Sequence, residues 1–419
     1  MNQPITELYK PLTVCRICDS TNLTAYLELG NLPLANRFLK NETDFCPRFP
    51  LTVLYCNNCS LSQLSVVVDP EFLFSHYLYK SSISATFREH CAKLGQELKT
   101  YFPEPKNTLT LDIASNDGCL LKEFKDQGFK VLGVDPAENL AKKANELGLP
   151  TICAFWDNQT AEQVMQKEQP EIITATNVFA HTHDVKGFVA AIKKSLAPKG
   201  ITVIEFHYMG SLIMENAFDT IYHEHVSYFL LKPLMLLFEK YGLRIFKVKL
   251  VPIHGGALRL YAAHSQSEFQ TDPSVTELLE WETQNKMYDL ETYLQFKNNV
   301  KQIREDFVTV LKKLKAEGKL IAGFGAAAKG NTLLNYCGMT QNQIQFIVDE
   351  TPEKQGLLYA GTNIPIYSFD AIDKYSPNYI VIFPWNFSAE IIKKIGEKTK
   401  FTQKNGKYII PIPKVRIME

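Results

Sequence analysis

From about residue 108 to 265, apolar runs of strand length alternate with longer stretches whose apolar positions recur every three or four residues. The first pattern predicts buried strands and the second predicts helices packed over them, so this region is expected to form a doubly wound, mostly parallel sheet. TLTLDIASNDGCLLKEFKDQG opens it with a strand, a turn of small residues and a helix. FKVLGVDPAENLAKKANELG repeats the unit, its strand ending on Asp135, and PEIITATNVFAHTHD and GITVIEFHY add further strands. RIFKVKLVPIHGGALRLYAAH reads as a hairpin, an antiparallel finish at the sheet edge. Between 275 and 317, Phe296, Val300, Ile303, Phe307, Val310 and Leu314 step by three and four with charges between them. That is a spacer helix, and Gly318 stands where its C-cap belongs. GKLIAGFGAAAKGNTLLNYCG, IQFIVDETPEKQG and a set of short strands ending in YIIPIPKV then predict a second nucleotide-fold unit.

The segment before these units has another character. Cys15 and Cys18 form one C-x2-C pair, and Cys56 and Cys59 form another. Two such knuckles supply the four thiolates of a closed tetrahedral zinc site, which leaves no open position for chemistry and is therefore structural. The expected organisation is a zinc-binding domain over 1–71, a sheet domain over 72–270, linking helices over 271–318 and a C-terminal Rossmann-like domain over 319–419.

Composition narrows the partners. Lys plus Arg and Asp plus Glu both number 45, so the formal charge is zero and nothing draws the chain to nucleic acid or to an anionic membrane. The N-terminus lacks a signal-peptide layout, and the most apolar run, FLLKPLMLLF, is interrupted by Lys232 and Pro233 and is too short to span a bilayer. A soluble, cytoplasmic protein acting on a small molecule is expected, as a monomer or weak dimer. Nine cysteines, four of them in tight pairs, suit a reducing compartment.

Two stretches carry candidate chemistry. A turn after the first strand and an acid closing the second is the layout that holds a nucleoside, because the carboxylate accepts from both ribose hydroxyls. The turn holds Asp112, Ala114, Asn116 and Gly118 in place of G-x-G-x-x-G. A bulkier acidic turn suits a ligand without phosphate, such as S-adenosylmethionine. The other stretch is IYHEHVSYF, residues 221–229. Zincins need H-E-x-x-H on one helical face, and no such spacing exists here, so an acid/base centre is the better reading.

Taken in order, the two C-x2-C pairs, YLYKSSIS, LDIASNDGCLL, GVDPAENLA, NVFAHTHD, FDTIYHEHVSYF, HGGALR, GFGAAAKGNTLL, DETPEKQG and PWNF resemble the sugar C-methyltransferases of deoxysugar pathways. These join a zinc domain, a class I methyltransferase domain and a C-terminal Rossmann-like domain, and methylate C-3 of a nucleotide-linked 4-keto hexose. The likeness spans nearly the whole chain. It departs at Asp112, where glutamate is more usual, and at Ala114, where glycine is common. The resemblance implies His225 as base, with Tyr222, Glu224, His181 and Tyr79 as further catalytic groups. It implies a cofactor site of Asp112, Ala114, Asn116, Asp117, Gly118, Asp135, Pro136, Phe155, Trp156 and Asn177. For the sugar nucleotide it implies Tyr77, Ser81, His223, His254, Gly255, Arg259, Lys329 and Asn331. Methylation at carbon fits these groups: a base removes the proton beside a ketone, and an acid stabilises the resulting enolate oxygen.

Competing readings are a nicotinamide oxidoreductase using the 319–349 glycine turn with Asp349, an O-methyltransferase on the same fold, and a zinc-ribbon nucleic-acid binder, which the charge balance disfavours.

Overall fold

A computed structural model describes residues 5–74, 81–83, 85–253 and 255–419. At its centre is a seven-stranded sheet whose order is Leu243–Val251, Ala257–His264, Ile201–His207, Ile172–Thr176, Leu109–Ile113, Lys130–Asp135 and Thr151–Cys153. Five strands are parallel to one another, and Ala257–His264 runs antiparallel between Ile201–His207 and Leu243–Val251. The expected hairpin finish is present, with its later strand inserted one place in from the edge. Leu109–Ile113 is buried along its whole length, and only His207 of Ile201–His207 is half-exposed. Their lack of polar alternation follows from helices on both faces.

The expected spacer helix is two helices, Pro273–Gln284 and Leu290–Ala316, separated by a turn in which Lys286 has a φ of 54°. Along the second helix Tyr293, Phe296, Val300, Ile303, Phe307, Leu311 and Leu314 are buried. Leu311 takes the place expected of Val310, which is half-buried, because a helix of 3.6 residues per turn drifts against a fixed step. Gly318, at a φ of 72°, closes the helix as expected.

The C-terminal sheet has five parallel strands in the order Lys407–Ile410, Tyr379–Ile382, Ile321–Phe324, Phe346–Val348 and Ile364–Tyr367. Leu358–Tyr359 extends it antiparallel, and the last strand on that side, Phe38–Leu39, comes from the cysteine-bearing segment. That segment has a sheet of its own, Leu23–Pro33, Arg48–Cys56 and Ser62–Leu64, to which Ser227–Tyr228 adds a fourth strand. One apolar core runs from Cys15 to Ile412 through all three units. The three units are packed as one body, with strands exchanged at both junctions.

Candidate active site

The four cysteine sulfurs lie within 4.8 Å of one another, the closest pairs, Cys15 with Cys59 and Cys18 with Cys56, at 3.5 Å. Four thiolates about 2.3 Å from a zinc ion stand roughly 3.8 Å apart, so the cluster needs only a small adjustment to hold one. Cys15, Cys56 and Cys59 are buried and Cys18 is half-buried, and four thiolates leave no open coordination position.

The first turn of the central sheet is shaped by left-handed backbone: Ala114 at φ 56°, Asn116 at 54° and Gly118 at 83°. Asp135, at the end of the second strand, accepts from the Asn116 N–H at 2.8 Å and the Ala137 N–H at 2.9 Å. Asp112 is buried and accepts from the Thr174 hydroxyl at 2.7 Å. Burial pushes its carboxyl up to about 7; Thr174 acts against this and the charge of Asp135 adds to it. Asp117 accepts from the N–H and hydroxyl of Ser82 and pairs with Lys143 at 3.7 Å. Ser81 lies on the same turn, its N–H donating to Asn116 at 3.0 Å. Phe155 is an exposed ring one residue past Ala154, whose N–H bonds the Asp135 carbonyl. Trp156 Nε1–H donates to the Phe188 carbonyl at 3.3 Å, and Pro136 is half-buried. Asn177 follows the fourth strand with a φ of 59°.

IYHEHVSYF is a turn followed by a short strand. His225 N–H bonds the Tyr222 carbonyl at 2.9 Å, and its ring Nδ1 lies 2.8 Å from the Thr220 carbonyl. A carbonyl only accepts, so Nδ1 carries the hydrogen and Nε2 keeps its lone pair. The His225 ring is 4.1 Å from that of Tyr222 and 4.9 Å from that of His181, which stacks on Phe74. Burial, the charge of His181 and, more weakly, those of His207 and Lys329 hold His225 well below the usual imidazole range, the Thr220 bond opposing. Burial likewise lowers His181 to about 4. Both rings are held neutral at neutral pH, so neither is the acid expected at the enolate oxygen.

Lys329 closes the other side. A side chain on Gly255 would stand 3.4 Å from Lys329 Nζ, 3.7 Å from Trp385 and 3.9 Å from His207. Lys329 Nζ lies 4.8 Å from the centre of the Trp385 ring, whose Nε1–H donates to Asp219 at 2.8 Å. The group is thus drawn from the strand end at His207, the loop at Gly255, the 218–225 segment and the C-terminal unit, outside the carboxyl ends of the parallel strands.

The remaining expected groups lie elsewhere. His223 turns away, its Nε2–H donating to the Phe49 carbonyl at 3.2 Å. Glu224 accepts from Asn36 at 2.7 Å, so its neighbour His225 is not the contact seen. Arg259 is 3% exposed and spends its charge on Glu205 at 2.8 Å and Glu97 at 3.3 Å, with His90 at 3.0 Å. Asn331 is buried and donates to the Ala360 carbonyl at 3.0 Å. Tyr77, Tyr79 and His254 lie outside the described residues. In the second glycine turn Asp349 accepts from Ala326 N–H at 2.7 Å and Thr351 N–H at 2.8 Å, and Lys354 lies 3.5 Å away. The arrangement repeats that of Asp135 and the first turn.

Three family profiles match in succession: a zinc binding domain over 15–74, a methyltransferase domain over 84–248 and a C-methyltransferase C-terminal domain over 252–413. The chain is 33% identical to the C-methyltransferase NovU of Streptomyces niveus over 415 residues, 98% of each protein. It belongs to the zinc-domain C-methyltransferases. A ubiquinone biosynthesis O-methyltransferase of Rhodopseudomonas palustris BisA53 is 29% identical over 107 residues, 24% of this chain and 42% of that one. Magnesium protoporphyrin IX methyltransferase from Synechocystis PCC 6803 overlaps 42% of this chain and 79% of that one at 10% identity and a TM-score of 0.33, too weak a likeness to argue from.

In this C-methyltransferase the acidic turn suits its cofactor. Asp117 on the turn and Asp135 at the end of the second strand are the acids that would hold it, with Asp112 buried behind them in the first strand. Asp219, Trp385 and His207 join the group although FDT, PWNF and FHY carry no spacing that marks them. Asp219 Oδ1 is buried without a hydrogen-bond partner among the described residues, beside Lys329. A buried polar atom in that position calls for a partner such as an ordered water, an ion or a ligand group.

Proposed function

We propose that this C-methyltransferase methylates C-3 of a nucleotide-linked 4-keto-6-deoxyhexose in branched deoxysugar biosynthesis, with His225 as the base. One observation carries the reading: the Thr220 carbonyl fixes a buried, neutral imidazole with Nε2 unprotonated, next to the charge of Lys329.

Bound on the 112–118 turn and Asp135, S-adenosylmethionine supplies an electrophilic methyl group. His225 Nε2 takes the C-3 proton and becomes imidazolium, which its Nδ1–H bond to Thr220 supports. The electron pair moves to the C-4 oxygen, where Lys329 and Tyr222 are the candidate partners for the enolate. His181 and Phe74 pack beside the base and exclude water that would return the proton. The sugar's nucleotide is held between the central and C-terminal units, near Gly255 and Lys329. All nine cysteines are free, in keeping with a reducing cytoplasm, and no described helix is long and apolar enough to cross a membrane.

The test is exchange of the C-3 proton with deuterated water, with S-adenosylhomocysteine bound. His225→Asn should slow exchange by about 10²- to 10⁴-fold while S-adenosylmethionine affinity stays unchanged. Exchange at the wild-type rate would make another residue the base. NMR of the product should show the new methyl on carbon.

A further inference from the structure

Several contacts tie the turn carrying His225 to the cysteine-bearing domain. Ser227–Tyr228 pairs with Ser62 and Gln63, the Leu64 N–H donates to the Val226 carbonyl at 3.0 Å, and His223 donates to the Phe49 carbonyl at 3.2 Å. Side chains also meet across the junction: the His223 ring packs edge-on against Phe49 at 5.8 Å, and Asn36 Nδ2 donates to Glu224 Oε1 at 2.7 Å.

Glu224 is 4% exposed, so its carboxylate depends on donors from the protein. One of them comes from a residue 188 positions away in the chain. Glu224 and His225 are consecutive, so an anchor on the Glu224 side chain restrains the backbone from which the imidazole projects. Asn36 in turn lies two residues before Phe38–Leu39, the strand that completes the C-terminal sheet. It therefore stands where all three units meet.

We propose that Asn36 is a positioning residue for methyl transfer. By holding Glu224 it sets the 222–225 turn, and with it the direction in which His225 presents Nε2. The proposal rests on the assignment of His225 as base and adds a residue from the cysteine-bearing domain to the reaction.

The test uses the full-length, zinc-loaded protein with Asn36→Ala, the isosteric Asn36→Asp, Glu224→Gln and the Asn36→Ala/Glu224→Gln double variant. Both Asn36 variants should lose about 10- to 100-fold in kcat, the scale of a misplaced catalytic group, with KM for S-adenosylmethionine, zinc content and melting temperature unchanged. In the Glu224→Gln background the Asn36→Ala change should have a much smaller effect, because the residue acts through its partner. Wild-type kcat in both Asn36 variants overturns the proposal, as do additive losses in the double variant. Loss of kcat matched by loss of melting temperature in both also overturns it and makes Asn36 a folding residue only. If His225→Asn exchanges the C-3 proton at the wild-type rate, the base assignment fails first. If it does not, while the Asn36 variants exchange normally, only the proposal about Asn36 falls.

Discussion

Gly118→Ala tests whether the acidic turn is held to its shape by packing. Gly118 has a φ of 83°, and an added Cβ would stand 2.4 Å from Leu149 Cδ1. An L-residue in left-handed backbone costs about 1–2 kcal/mol. Leu149 is 3% exposed, clustered with Leu121 and Ala144, so displacing it adds the cost of an overpacked core, about 1–3 kcal/mol. The sum is about 2–5 kcal/mol, and the turn escapes it by moving. If cofactor binding must restore the turn, affinity for S-adenosylmethionine falls by the same free energy, about 30-fold or more at roughly 1.4 kcal/mol per tenfold. Gly148→Ala is the control: its φ is 72°, but the nearest atom to an added Cβ is Lys125 Nζ at 3.5 Å. It should cost about 1–2 kcal/mol of stability and leave affinity alone. Calorimetric titration of both variants decides. Gly118→Ala binding within threefold of wild type, with stability lost, would mean that the turn does not set the cofactor site.

Ala114 occupies left-handed backbone at φ 56°, so Ala114→Gly should relieve about 1–2 kcal/mol of strain against about 0.5–1 kcal/mol of added chain flexibility, a small net gain readable in urea unfolding. A less stable variant would contradict the strain. The Asp112 carboxyl is raised from 3.8 to about 7 by burial, so the stability its protonated form contributes is fully present below about pH 4 and is lost as pH rises through about 7. Asp112→Asn keeps an acceptor for Thr174 and should flatten that fall in melting temperature between pH 4 and 8; an unchanged slope would assign the titration to another group. Removing zinc with a chelator should loosen the cysteine-bearing domain and, through the Ser62–Leu64 strand, the His225 turn. Turnover should fall while S-adenosylmethionine still binds by titration, and turnover unaffected by full zinc loss would separate the two.

The cysteine pairs, the strand–turn–helix units and the acid closing the second strand were legible because each is a local pattern with one physical solution. Long-range pairings were not. Ser227–Tyr228 and Phe38–Leu39 are two-residue strands, too short to show a period, yet they join the three units. His223 and His225 look equivalent in sequence and point to different units, because a turn, and not a strand or helix, carries them. Asp219 is a single acid among aromatic residues, and its partner Trp385 lies 166 positions on. The N–H groups that Asp349 accepts from, and Lys354, are visible only in three dimensions.

The Phe38–Leu39 strand has a consequence for how the chain is made. Its partner Leu358–Tyr359 and the nearby bond from Arg48 to the Gly361 carbonyl, 313 positions apart, join the start of the chain to its end. During synthesis the cysteine-bearing domain leaves the ribosome with an open strand edge and waits for most of the polypeptide before that edge is covered. Premature termination therefore leaves Phe38–Leu39 without its partner, far along the chain from the missing residues. A ligand or ion that steadies the first domain early would protect the nascent protein through that interval.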